Sequence, residues 1–143
     1  MSNDPKNDSS IIPTMRYSDA PGAIAFLCEA FGFAQHLVVE DGQGGIAHAQ
    51  LTHGNGMIML GSAREDEFGR IQQPLGNPTD TVSQSAYVIV SDIDNHYAKA
   101  VKAGATILME LQAVEHGGKF YCCRDPEGQV WNFGDYSPWE SDS

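Results

Sequence analysis

The sequence predicts an α+β fold made of two tandem βαβββ units, and three observations carry that prediction. The first is a repeat of landmarks. Tyr17-Ser18-Asp19 and Val90-Ser91-Asp92 each precede an apolar-periodic stretch, and Met59-Leu60-Gly61 and Asn132-Phe133-Gly134 each close a run of strand-like segments. Asp19 and Asp92 stand 73 residues apart, as do Gly61 and Gly134. The second is that Gly32 and Gly104, 72 residues apart, each stand where the apolar stretch ends, a one-residue slip that belongs in a loop. The third is order: in each half a helical periodicity gives way to short strand-like segments bounded by Gly, Asn and Asp. A period this long exceeds the solenoid range of about 20–50 residues, so duplication of a whole unit is the economical reading.

In the first unit, residues 11–17 read as a strand. Ser18 or Asp19 can cap the helix that follows, with Pro21 in its first turn, where a missing N–H costs little. Ile24, Leu27, Cys28 and Phe31 recur at three- and four-residue spacing, which gives a helix over residues 20–30 one buried stripe. Gly32 supplies the positive φ of a helix end. Residues 33–40 and 46–52 read as strands about the turn at 41–45, and Gly54-Asn55-Gly56 leads into a strand at 57–61. The second unit repeats the order: a strand at 86–90, a helix opened by Asp92 or Asp94 and ended by Gly104, strands at 106–111 and 119–124, then Asp125-Pro126-Glu127-Gly128 turning into a strand at 130–134.

Residues 1–10 are polar and expected to form a disordered tail, and 11–138 a single domain, with unit one at 11–61, a connector at 62–84 and unit two at 85–136. The connector carries Phe68, Pro74, Gly76 and Pro78; a connection so long is usually functional or mobile. A chain of 143 residues, 41% hydrophobic, has material for one core. Its net charge of −11, from 19 acidic against 8 basic residues, repels phosphate backbones and acidic membranes and argues against nucleic-acid binding. No apolar run reaches a membrane span, and no charged-then-apolar leader precedes the first strand, so a cytoplasmic protein is expected. Cys28, Cys122 and Cys123 make an odd count. The adjacent pair points to opposite faces of a strand, which suits neither a disulfide nor a tetrahedral zinc site, and reduced thiols are expected.

Ala30-Phe31-Gly32-Phe33 after the first helix, Ala103-Gly104-Ala105 after the second, and Asp125-Pro126-Glu127-Gly128 followed by Trp131 and Phe133 together resemble the vicinal oxygen chelate superfamily. That group includes glyoxalase I, the extradiol dioxygenases and the bleomycin- and fosfomycin-resistance proteins, and the likeness covers residues 11–136. The segment from Ile46 to Leu51 is most similar to the bacterial glyoxalase/bleomycin-resistance-like members, with Gln50 where many of them carry Glu. The resemblance implies that the two units curl into an open, trough-like barrel (the glyoxalase/bleomycin-resistance fold), that the trough holds the ligand, and that chains pair as homodimers. Metal-using members draw one ligand from the first and one from the last strand of each unit. Carried over, those positions are Ile12 (or Pro13), Met59, Ser85 (or Ala86) and Asn132. None is His, Asp or Glu, and a thioether with an amide is a poor match for a hard divalent cation. The resemblance therefore implies no metal and no other cofactor, against both a glyoxalase I reaction and extradiol ring cleavage.

Counting back from the Asp125 turn sets Tyr121 opposite Asn132, and shifting by the repeat sets His48 opposite Met59, with Gln50 two residues on. The expected ligand-binding set is thus His48, Gln50, Met59, Tyr121, Cys123 and Asn132, with Trp131 on the other face, beneath a helix. Each has an ordinary reading as well: His48 as a hydrogen-bonded filler, Tyr121 as a core aromatic, Cys123 as an inert thiol with no base assigned. His36, His53, His96 and His116 fall at strand ends, turns and a helix start, where exposed histidine is usual. Arg16 and Arg124 stand at strand ends, placed either to meet an anionic ligand or to serve as surface charges. The leading functional reading is a metal-independent small-molecule binding protein of the resistance or sequestration type, holding a flat or amphipathic organic ligand. Two alternatives stand beside it: a metal-free isomerase, epimerase or lyase-like enzyme with His48 as general base, and a dimeric interaction module with a filled trough. The sequence names neither the ligand nor a reaction.

Overall fold

Two open four-stranded sheets, each with one helix of its own unit, make up the computed structural model, which describes residues 7–115 and 117–140. Unit one runs β1 (Thr14–Tyr17), α1 (Ala20–Phe31), β2 (Ala34–Glu40), β3 (Ile46–His53) and β4 (Gly56–Ser62). A single 3-10 turn, Phe68–Arg70, interrupts the connector. Unit two follows as β5 (Ala86–Ile89), α2 (Ile93–Ala103), β6 (Thr106–Ala113), β7 (Lys119–Arg124) and β8 (Val130–Gly134). The strand orders are β1-β4-β3-β2 and β5-β8-β7-β6. In both, the first strand of the unit lies parallel to the last and the remaining pairs are antiparallel. The α+β fold of two βαβββ units is therefore as the repeat predicts. His116 and residues 1–6, six of the ten expected to form a tail, lie outside the described residues. Residues 7 and 9 are tied to the β3–β4 turn, where Asn55 donates to the Asn7 carbonyl and accepts from the Ser9 N–H. No helix among the described residues is long and apolar enough to cross a membrane.

The helix ends obey local chemistry. The Asp19 side chain accepts the Gly22 N–H at 3.1 Å and the Asp92 side chain the Asn95 N–H at 3.4 Å, satisfying donors that a first turn leaves orphaned. Gly32 and Gly104 end the helices at φ of +82° and +99°, a region where a Cβ is strained. Ile24, Leu27 and Phe31 of α1 are buried. Phe31 crosses into the other unit, its ring 4.7 Å from Phe133 and 5.7 Å from Trp131. One apolar cluster therefore serves both sheets.

Two polar devices join the units inside that core. Asp125, 3% exposed, accepts the Tyr17 hydroxyl at 2.6 Å and the Trp131 indole N–H at 3.1 Å. Its other oxygen accepts the backbone N–H groups of Glu127 and Gln129. Burial raises its pKa, and the four donors oppose that rise by favouring the carboxylate. Beside it, Glu127 accepts the Ser18 and Asp19 N–H groups at 2.7 and 2.6 Å, placing a negative charge at the start of α1.

His96 is the second device. It was expected at an exposed helix start; instead it is half-buried, with both ring nitrogens bonded. Nε2 donates to the Phe31 carbonyl at 2.9 Å, an acceptor the end of α1 leaves free, and Nδ1 accepts the Tyr121 hydroxyl at 2.7 Å. Burial lowers its pKa, the Phe31 carbonyl opposes, and His53 and Lys99 add to the lowering. The neutral ring is the form this site holds.

Two outcomes follow. Asp125→Ala orphans the Tyr17 and Trp131 donors and is expected to cost about 3–5 kcal/mol, at about 1–3 kcal/mol per orphaned buried donor, read from urea unfolding. For His96 the folded pKa lies below the ordinary 6.5, so in the window between the two values the unfolded chain binds more protons. Stability is then present above that window and declines as pH falls through it. Melting temperature should drop on acidification below about pH 6.5, and His96→Gln should flatten that slope.

Candidate functional site

The face of each sheet turned away from the helices is where the six expected ligand-binding residues were to meet. Three of them do. Gln50 pairs directly with Met59, and His48 lies two residues along, its Nε2 3.0 Å from the Gln50 amide nitrogen. Asn132 takes the corresponding face of unit two, where its amide donates to the Ser85 hydroxyl and the Ala86 carbonyl.

Tyr121 and Cys123 go the other way. Tyr121 pairs with Phe133 and Cys123 with Trp131, while Cys122 stands opposite Asn132. The expected pairing of Tyr121 with Asn132 is thus off by one residue. The cause is the turn: the Asp125 N–H bonds the Gln129 carbonyl and the Asp125 side chain takes the Gln129 N–H, so five residues separate the paired Arg124 and Val130. A one-residue slip exchanges faces. Both side chains consequently lie in the core, and burial pushes the Cys123 thiol up to about 12, an unreactive state. In unit one the equivalent turn is only Gly54-Asn55, between paired His53 and Gly56. His48 is accordingly not opposite Met59, but the slip there is two residues and the face is preserved.

A distinct opening lies elsewhere, between the two first strands. A cleft of about 680 Å³ is lined by residues 11–16 of the β1 segment, residues 81–86 leading into β5, Gln129 to Trp131, and Gln72, Gln73 and Leu75 of the connector. None of the six expected residues lines it. The connector forms one wall because it is pinned to both units. Gln72 exchanges hydrogen bonds with the Thr14 side chain and carbonyl. At the other end Arg124 donates to the carbonyls of Pro78, Asp80 and Gly128. Arg124 is therefore a structural clamp.

Arg16 is different. Its register partner is Gly61, and a Cβ there would lie 2.5 Å from the guanidinium Nη1. The bare glycine leaves the floor on which the guanidinium rests. Phe68 covers it at 5.0 Å, a cation–π stack, and Nη1 donates to the Ser62 carbonyl at 3.2 Å. The Nε is buried with no acceptor. Burial and then the neighbouring Arg64 disfavour its charge, with Asp66 partly offsetting. Unit two uses its matching glycine in the same way, since a Cβ at Gly134 would run into the Tyr87 ring.

The positions that the resemblance gives for a metal, Ile12 (or Pro13), Met59, Ser85 (or Ala86) and Asn132, offer no imidazole or carboxylate. The observed register brings Thr14 and Tyr87 beside Met59 and Asn132 in place of the expected first-strand residues, and Asn132 bonds Ser85. Hydroxyl, thioether, phenol and amide do not fit a divalent cation, which takes imidazole or carboxylate here. Among the described residues no three His, Cys, Asp or Glu gather to hold one.

Residues 12–133 match the Glyoxalase/Bleomycin resistance protein/Dioxygenase superfamily. The chain belongs to that superfamily. Among solved structures, this superfamily member is similar to TioX from Micromonospora sp. ML1, at 29% identity and a TM-score of 0.71, covering 90% of this chain and 99% of that one. It shares its fold with a mutant of the fosfomycin resistance protein FosX from Listeria monocytogenes, solved with Mn(II) and 1S,2S-dihydroxypropylphosphonic acid. That likeness has 11% identity and a TM-score of 0.64, covering 89% of each chain. An uncharacterised protein of Mycobacterium bovis is 27% identical over 130 residues, 89% of this chain and 83% of its own.

Of the cleft lining only Arg16 and the first-strand positions stand out in the sequence, because the rest comes from strand starts, the β7–β8 turn and the connector, which share no motif. The length of the connector was the available signal.

Proposed function

We propose that the chain is a metal-independent small-molecule binding protein that holds an organic ligand in the cleft between β1 and β5. The carrying observation is the cleft itself: about 680 Å³ of space, lined by hydroxyls, amides and one arginine and by no carboxylate or imidazole, within the common range of about 300–1,000 Å³ for ligand pockets. Superfamily members bind ligands or act as enzymes. Binding is the better-supported half here, because the base that the sequence suggests, His48, is engaged with Gln50 and stands outside the cleft lining. A cytoplasmic setting goes with this reading, and Cys28, Cys122 and Cys123 are all free thiols.

The uncharged fluorophore N-phenyl-1-naphthylamine tests the binding site. Saturable enhancement is expected that neither EDTA nor added Mn²⁺ or Zn²⁺ alters, and that Ser85→Trp, which fills the cleft, abolishes. Binding that requires the metal, or survives Ser85→Trp, would overturn the proposal.

A homodimer belongs to the same reading. Leu37 and Val39, partners of Gln50 and His48 on β2, and Met109, partner of Cys122 on β6, are 44%, 44% and 46% exposed on the faces away from the helices. Sedimentation equilibrium should return twice the mass of one chain, and Val39→Lys should lower it towards the monomer.

A further inference from the structure

We infer that the cleft selects organic anions, with the ligand's carboxylate, sulfonate or phosphonate seated on the Arg16 guanidinium and its uncharged remainder against Gln72, Gln129 and the Ser85 hydroxyl. The inference rests on the reading that the cleft is the ligand site, and it names the charge that site takes. Its first support is composition. In a chain with 19 acidic and 8 basic residues, no acidic side chain lines the cleft and Arg16 is the one charged group that does, among the described residues. An acid there would repel an anion; with none in the lining, Arg16 is the one formal charge an entering ligand meets there.

The second support is construction. Gly61 below, Phe68 above and the Ser62 carbonyl at one edge fix the guanidinium in place before any ligand arrives. That pre-organisation removes most of the entropy cost an exposed arginine would incur on binding. The third is an unmet demand. Arg16 takes part in neither of the two ion pairs among the described residues, Arg64 with Asp66 and Lys119 with Asp94. With a single backbone acceptor and an unpartnered buried Nε, the guanidinium is short of acceptors. A planar acid group offers two oxygens to such a fork.

The test pairs N-phenyl-1-naphthylamine with its sulfonated analogue, 8-anilinonaphthalene-1-sulfonate. The anion should bind about tenfold or more tightly than the neutral probe, the equivalent of one charge-assisted hydrogen bond, despite the chain's net charge of −11. Added salt should narrow that ratio. Arg16→Gln should bring it near one. Arg16→Lys, which keeps the charge and loses the fork, should retain part of it, and Gly61→Ala, which displaces the guanidinium, should reduce it with the charge still present. An equal ratio in the unaltered protein, or a ratio that persists in Arg16→Gln, overturns anion selection. If in that case the neutral probe still binds and Ser85→Trp still removes it, the cleft stands as a binding site and anion selection alone has failed. If neither probe binds, both readings fall.

Discussion

A buried carboxylate ties the two units to each other. Asp125 belongs to the β7–β8 turn, yet one of its oxygens is shared between Tyr17 of β1 and Trp131 of β8. Desolvating an anion is costly, and only complete hydrogen bonding makes the arrangement tolerable. All four partners of Asp125 are donors, so a small displacement of either unit would strand a charge in the core. Apolar contacts such as that of Phe31 with Phe133 tolerate sliding; the Asp125 network does not. It thereby sets the spacing between β1 and the unit-two turn, and with it the width of the gap that becomes the cleft.

Much of the fold was legible because its determinants are local. Capping aspartates and terminal glycines each act within a few residues, the 73-residue repeat displays those local signals twice, and the strands at Lys119–Arg124 and Val130–Gly134 fall where the pattern puts them. Register was less legible because it depends on turn geometry. Two turns that look equivalent by the repeat hold five residues in one unit and two in the other, and the difference carries Tyr121 and Cys123 into the core while leaving His48, Gln50 and Met59 on one face. His96 was misjudged for another reason. A histidine near a helix start is usually wet, and only the tertiary packing that brings the end of α1 over α2 supplies the Phe31 carbonyl it bonds.

The candidate site was the least legible part. Its residues have no spacing in common: β1 provides Thr14 and Arg16, the connector Gln72 and Gln73, and the entry to β5 Ser83 to Ser85. What unites them is the connector's double anchorage, at Thr14 through Gln72 and at Arg124 through the Pro78 and Asp80 carbonyls. A segment that by length alone could be mobile is held as a wall by groups it meets on both units.

The paired glycines have a consequence for symmetry. The two units repeat one topology, and a slot lined alike by both would accept a guest either way round. Gly61 and Gly134 offer equivalent seats, but the first is taken by a guanidinium and the second by a phenol ring. The two seats therefore differ in charge, one cationic and one neutral, and the likeness of the units ends at these side chains.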